Sequence, residues 1–576
     1  MTTNLRSRST NFDGLQVSTT IETNDLTANR AIIDRLKWPL IKGTGQAGGL
    51  LPGATNYSDY LFWNPTPGLW EVGGDEVHLG TVSGEINQGD SAVAIGKSAG
   101  NDNQGLQSVA IGSNAGEIKQ SANSVAIGPF SARGNGAGPQ GVSAVAIGFN
   151  TASQNQGANS VAIGTEAGDI SQGQSSVAIG EAAAANNQQP GAVAIGLTAG
   201  NDNQGQNAVA IGNSAGNITQ GSGAVAIGDS AGAGLTVPQG VKSVAIGADA
   251  GNSGQGANAV AIGNTAGTNQ LANSVAIGFG AGAANQLANS VAIGNAAGSD
   301  SQAADAVAIG NAAGSDSQAA DAVAIGNAAG SDSQGADAVA IGNTAGSTSQ
   351  GGDAVAIGNT AGSTSQGQNS VAIGPNAGLD SQGANSVAIG GEAGRINQAT
   401  VGGLAVAVGA KAGNNGQGTN SVAIGANAGE GATTAQGGSC VAVGAQSGND
   451  KQGDNSTAVG FQAGRLNQGT FSVAIGINAG DSNLGNNSVA VGALADSVGG
   501  ANSTIVINST GNALQNAGPS SLVIATGGGP GSTGLVQTVP QAGGPAQRPD
   551  AAAITAGFTH YLVYNPSTGE IQMCQF

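Results

Sequence analysis

The chain has 576 residues, of which 103 are glycine, with 9% charged and 3% aromatic side chains and a formal net charge of −19. So few large side chains exclude a series of thick globular cores, and the acidic balance argues against nucleic acid or an anionic membrane as a partner. Glycine does not recur at every third residue, which excludes collagen, and apolar residues reach 39% at fixed spacing, which disfavours disorder.

Residues 1–58 carry no apolar run of signal-peptide length, and no stretch of about 18 apolar residues occurs anywhere, so neither classical secretion nor membrane insertion is expected. Within this segment Val17, Thr19 and Ile21 alternate, and the residues from Ala31 to Leu36 are compatible with helix, so we read it as a docking segment. Residues 59–76 are expected to form an aromatic β-hairpin cap. The run "YLFWNPTPGLWEV" places Tyr60, Trp63 and Trp70 on two short strands around an Asn-Pro-x-x-Gly turn, where Pro fixes φ and Gly accepts positive φ.

From 77 to 526 one phrase, "NSVAIGxxAGxxxQGx", recurs with a period of sixteen residues. A fixed period of this kind signals a solenoid. Helix is disfavoured because each interior Gly costs roughly 1 kcal/mol, so the spacing predicts an all-β, parallel β-roll of about 26 coils, two short strands and two Gly-rich corners in each. In Val161-Ala162-Ile163 alternate side chains point to opposite faces; hydrophobicity assigns Val and Ile to the interior and leaves Ala outside, where its small size would let further chains approach. Extra residues after Val125, Val225 and Val422 enter before Gln140, Gln239 and Gln436, as expected at a surface corner, and another insertion follows Gln398.

Eleven residues after most of the valines stands a glutamine, including Gln104, Gln120, Gln172, Gln204, Gln220, Gln302, Gln318 and Gln334. Stacking should align them in a column whose amides hydrogen-bond from coil to coil; a glycan-binding amide row is the functional alternative. Asp305, Asp321, Asp337 and Asp353 share another column, in a stretch with no Lys or Arg between Lys242 and Arg395. They are candidate calcium ligands, weighed against a solvated acidic face produced by near-identical repeats.

Residues 527–550 are rich in Gly and Pro and are expected to be a flexible linker. Residues 551–576 repeat the hairpin signature as "YLVYNPSTGEIQM", carrying Tyr561 and Tyr564. Both hairpins should close the open edges of the rod, or one aromatic end could be an attachment tip. No catalytic constellation stands out: the two histidines, His78 and His560, lie far apart in the repeat model, Cys440 and Cys574 match no metal motif, and no phosphate loop is present. We therefore expect no enzyme activity and no cofactor.

The in-register "NSVAIG" units resemble the head repeats of YadA-type trimeric autotransporter adhesins over some 450 of the 576 residues. The resemblance implies a left-handed parallel β-roll, three identical chains around one axis, and a role in surface attachment. Neither the family's secretion signal nor its membrane anchor is legible in residues 1–576, so autotransport is not expected, and similar repeats occur in fibre proteins of phages and large viruses. The expected function is therefore a structural fibre on a virion or extracellular surface, fixed at one end to a virion or cell-surface structure and engaging an unknown receptor. A bacterial-type surface adhesin, an ice-binding solenoid and a glycan-degrading tail fibre are the alternatives.

Overall fold

The computed structural model describes residues 56–64, 68–134, 140–234, 237–399, 402–516 and 518–527, with the backbone of three further strands at 533–538, 560–565 and 570–575. Almost all of the expected docking segment 1–58 lies outside the described residues, as do 539–550 of the expected linker. Among the described residues there is no helix.

Twenty-eight short strands, from Val77–Leu79 to Leu522–Gly527, stack as one parallel ladder of twenty-seven turns. Each strand pairs in register with its equivalent one coil away, as Val161, Ala162 and Ile163 do with Val177, Ala178 and Ile179. At the usual strand spacing of about 4.8 Å the stack runs roughly 130 Å. A second strand of two or three residues in many coils, such as Ile170–Gln172, pairs with its own neighbours on the other wall of the roll. Insertions leave the main ladder in register, and on the other wall Gln120 bridges Gln140, Gln220 bridges Gln239 and Gln417 bridges Gln436 across three of the longer coils.

Glycine and left-handed residues bend each coil. Gly164 holds φ at +131°, and a Cβ there would lie 2.4 Å from the carbonyl oxygen of Gly180, so this corner admits only glycine. Other bends fall on side chains that tolerate positive φ, such as Asn159 at 57° and Ser171 at 59°. That requirement explains why Asn, Asp or Ser stands two residues before most of the valines.

The core inverts the expected orientation. Ala162, Ala167, Gln172 and Ser176 are buried, whereas Val161 and Ile163 stay partly exposed on the outside, and the pattern repeats from coil to coil. Width is the reason. A Cβ added at Gly168 would sit 2.9 Å from Gln172 Cδ and 3.4 Å from Ala162 Cβ, so the interior is already filled and has no room for branched side chains at position 162. The strand wall therefore offers another chain its Val and Ile face, not an Ala face.

Both ends depart from the repeat. Leu61–Asn64 and Leu69–Val72 form an antiparallel hairpin in which Trp63 pairs with Trp70, with Gly68 at φ +68°. At the other end Thr533–Thr538 pairs antiparallel with Leu522–Gly527. This corrects part of the linker expectation for 527–550: Thr-Gly-Leu-Val-Gln-Thr is rich enough in strand formers to add a final strand to the ladder edge. The C-terminal strands His560–Asn565 and Glu570–Gln575 form a second antiparallel hairpin, with Tyr561 opposite Cys574 and Tyr564 opposite Ile571.

Candidate interaction face

The outward Val and Ile columns form a ribbon two side chains wide along the whole ladder. Its members vary only among apolar residues, with Thr457 the one polar exception in the described strands up to Ile505–Asn508. No charged residue interrupts it. A strip about 10 Å wide and 130 Å long presents on the order of 1,000 Å², beyond the few hundred Å² that monomers usually expose. Exposed side chains flank it on both sides in most coils, two residues before the Val and two after the Ile, as Asn159 and Thr165 do around Val161–Ile163.

Inside the coil, glutamine acts as a strut. Gln172 Nε2 donates to the Val161 carbonyl at 2.8 Å, tying the two walls of one coil together. The same contact recurs from Gln104 to Val93 at 2.9 Å, Gln204 to Val193 at 2.7 Å and Gln302 to Val291 at 2.7 Å. Links between coils run in segments: Gln104 donates to Gln120 Oε1 at 3.2 Å, Gln204 to Gln220 at 3.1 Å, and Gln302 to Gln318 and Gln318 to Gln334 at 3.1 Å each. These amides are almost wholly buried, so the column has no face to offer a glycan. Sequence reasoning aligned the column but missed the strut, whose only signal is the eleven-residue offset from the Val carbonyl that recurs in most coils.

Asp305, Asp321, Asp337 and Asp353 stand in one exposed column, each with φ between 56° and 61°, at the position Asn159 fills in other coils. Asn289 Nδ2 donates to Asp305 Oδ1 at 3.2 Å, continuing an Asn ladder into the acidic stretch. The backbone accounts for these residues, because Asp shares Asn's tolerance of the left-handed region. Among the described residues no group of three or more His, Cys, Asp or Glu side chains is placed to hold a metal ion.

The aromatic residues of the first hairpin divide between its two faces. Tyr60 and Phe62 pack on His78, with Phe62 and His78 edge to face at a centroid separation of 4.2 Å, while Trp63 and Trp70 lie on the other face, 52% and 46% exposed. His78 occupies a core position that is Ala in the following coils, and its Nδ1 lies 3.1 Å from Gln88 Oε1, so it plugs the open first coil. Burial raises the Tyr60 hydroxyl above its ordinary pKa, opposed by the His78 backbone N–H and reinforced by the Glu76 carboxylate.

A parallel solenoid with an Ala, Gln and Ser core and an apolar outer ribbon defines a structural repeat protein of the fibre or adhesin kind. The family model described as "YadA head domain repeat (2 copies)" matches residues 140–167, 171–199, 255–281 and 349–377, so the chain carries YadA head domain repeats. No curated protein and no solved structure matches the chain. Among the described residues no helix is long and apolar enough to cross a membrane.

Proposed function

We propose that the chain is the non-enzymatic shaft of an attachment fibre on a virion surface, assembled as a homotrimer along the Val and Ile ribbon. One observation carries the self-association: an uncharged strip, apolar at every described position but Thr457, that runs the full ladder. A partner able to cover it evenly must repeat every 4.8 Å or so, and another copy of this chain does. The strip also exceeds the roughly 800 Å² per partner that a stable interface needs. Elsewhere the net charge of −19 makes copies repel, which favours contact at the ribbon.

Three chains around one axis would turn every ribbon toward a common centre, in keeping with the head-repeat family. The resemblance to phage and large-virus fibres supports the virion placement, and the head-repeat match supports a bacterial surface adhesin as the second reading. Light scattering on the full chain should return three times 54.6 kDa; the mass of one chain overturns the proposal. Antibody labelling of intact virions against intact bacterial surfaces separates the two placements.

A further inference from the structure

The Val and Ile ribbon is translationally repetitive: a copy displaced by one coil meets the same two columns again. Repeats of this kind leave register weakly specified unless something irregular fixes it. The irregular residues nearest the ribbon are its two flanks.

On the flank after the strand, exposed large apolar side chains occur at Phe149, Leu197, Phe279, Phe461 and Ile477. On the flank before it they occur at Leu404 and Phe471. Among the described coils, the one that starts at Val473 carries them on both flanks, Phe471 at 62% exposure and Ile477 at 59%, with Ile475 between them at 41%. Elsewhere the opposite flank is small or polar: Ser143 across from Phe149, Gly191 from Leu197, Asn273 from Phe279, Asn455 from Phe461, and Ala410 from Leu404.

We infer that Phe471 and Ile477 form the register lock of the assembly, the Phe471 of each copy packing on the Ile477 of the next; this rests on the homotrimer reading above. Rotation about an axis parallel to the rod sets the leading flank of one chain against the trailing flank of its neighbour at the same level. In register, a closed ring buries three such pairs. When one chain slips by a coil, its two seams shift in opposite directions. One seam then sets Phe471 against Phe461 and Ile477 against Asn487, and the other sets Phe471 against Ala493 and Ile477 against Asn455. Three of these four contacts set an apolar side chain against a polar or short one and only Phe471 against Phe461 stays apolar, so burial is lost.

The test measures register far from the lock. Ser91→Cys and Lys97→Cys place thiols on opposite flanks of one coil, roughly 15–20 Å apart within a chain, whereas Ser91→Cys with Ser113→Cys offsets the second thiol by one coil. Oxidative cross-linking between copies of the full chain should favour the same-coil pair. Adding Phe471→Ser and Ile477→Ser should lower the ratio of same-coil to next-coil product by about tenfold or more while light scattering still reports a trimer. Phe461→Ser alone should not lower the ratio, because Phe461 meets Phe471 only in a slipped seam. An undiminished ratio in the double variant, or an equal fall with Phe461→Ser, overturns the lock and leaves the trimer standing. A monomeric parent chain overturns the trimer itself, and the lock with it.

Discussion

Tyr60 Oη accepts the backbone N–H of His78 at 2.9 Å and donates to the Glu76 carbonyl at 3.1 Å. One phenol thereby satisfies two edge groups of the first strand of the ladder, which would otherwise be open to another strand. Tyr60→Phe keeps the ring against Phe62 and His78 but leaves both backbone groups unpaired. The expected cost is about 1–3 kcal/mol, confined to the first coil. Hydrogen exchange should report faster exchange for Val77–Leu79 with no change at Val161–Ile163; uniform change along the ladder would refute a local cap.

The inverted core makes two substitutions at one strand behave in opposite ways. Ala308→Val inserts two methyl groups into a filled interior, where Ala308 is wholly buried, and should cost about 1–3 kcal/mol through overpacking. Ile309→Val trims a partly exposed side chain and should change the stability of a dissociated single chain by well under 1 kcal/mol. Thermal denaturation of both variants checks this, and a larger loss from the Ile change would restore the orientation expected from hydrophobicity.

These two substitutions mark where the sequence was readable. The sixteen-residue period, the strand positions and the Gln column were legible because each repeats, and Gln140, Gln239 and Gln436 return to register after their insertions. Alternation established that Ala162 opposes Val161 and Ile163 but not which side is inside. That choice depends on coil width, set by the close approach of Gly168, Gln172 and Ala162 across one coil, a distance that residue types do not encode. End features such as the Tyr60 cap and the Thr533–Thr538 strand occur once, so periodicity could not reveal them.

Glutamine's strut role predicts unequal tolerance at position 302. Gln302 Nε2 donates to the carbonyls of Val291 and Ala306 and to Gln318 Oε1, at 2.7, 3.0 and 3.1 Å. Gln302→Ala removes these bonds and opens a cavity, for a loss of about 2–4 kcal/mol. Gln302→Leu fills the space as Leu484 does at the equivalent position, buried to 1% exposure, and should cost about half as much. Equal losses in denaturant titrations would show that volume, not hydrogen bonding, is irrelevant to the strut.

Asp496 supplies a pH dependence whose sign can be worked out. It stands where earlier coils have the core Gly, and Gly500 stands where they have Gln, so a wholly buried carboxyl enters the space the amide normally fills. Burial raises its pKa, only partly offset by the backbone and side-chain N–H of Asn516, which donate to Oδ1 at 3.1 and 2.7 Å. The folded state therefore holds this proton more tightly than the unfolded chain. Stability from this group is fully present below the ordinary carboxylate value near 3.9 and is lost as pH rises through the higher folded value. Asp496→Asn keeps an acceptor for Asn516 and cannot ionise. The melting difference between Asp496→Asn and the parent chain should widen in favour of the variant from pH 3 upward and then level off; a difference that stays constant with pH would mean that the carboxyl does not titrate in the fold.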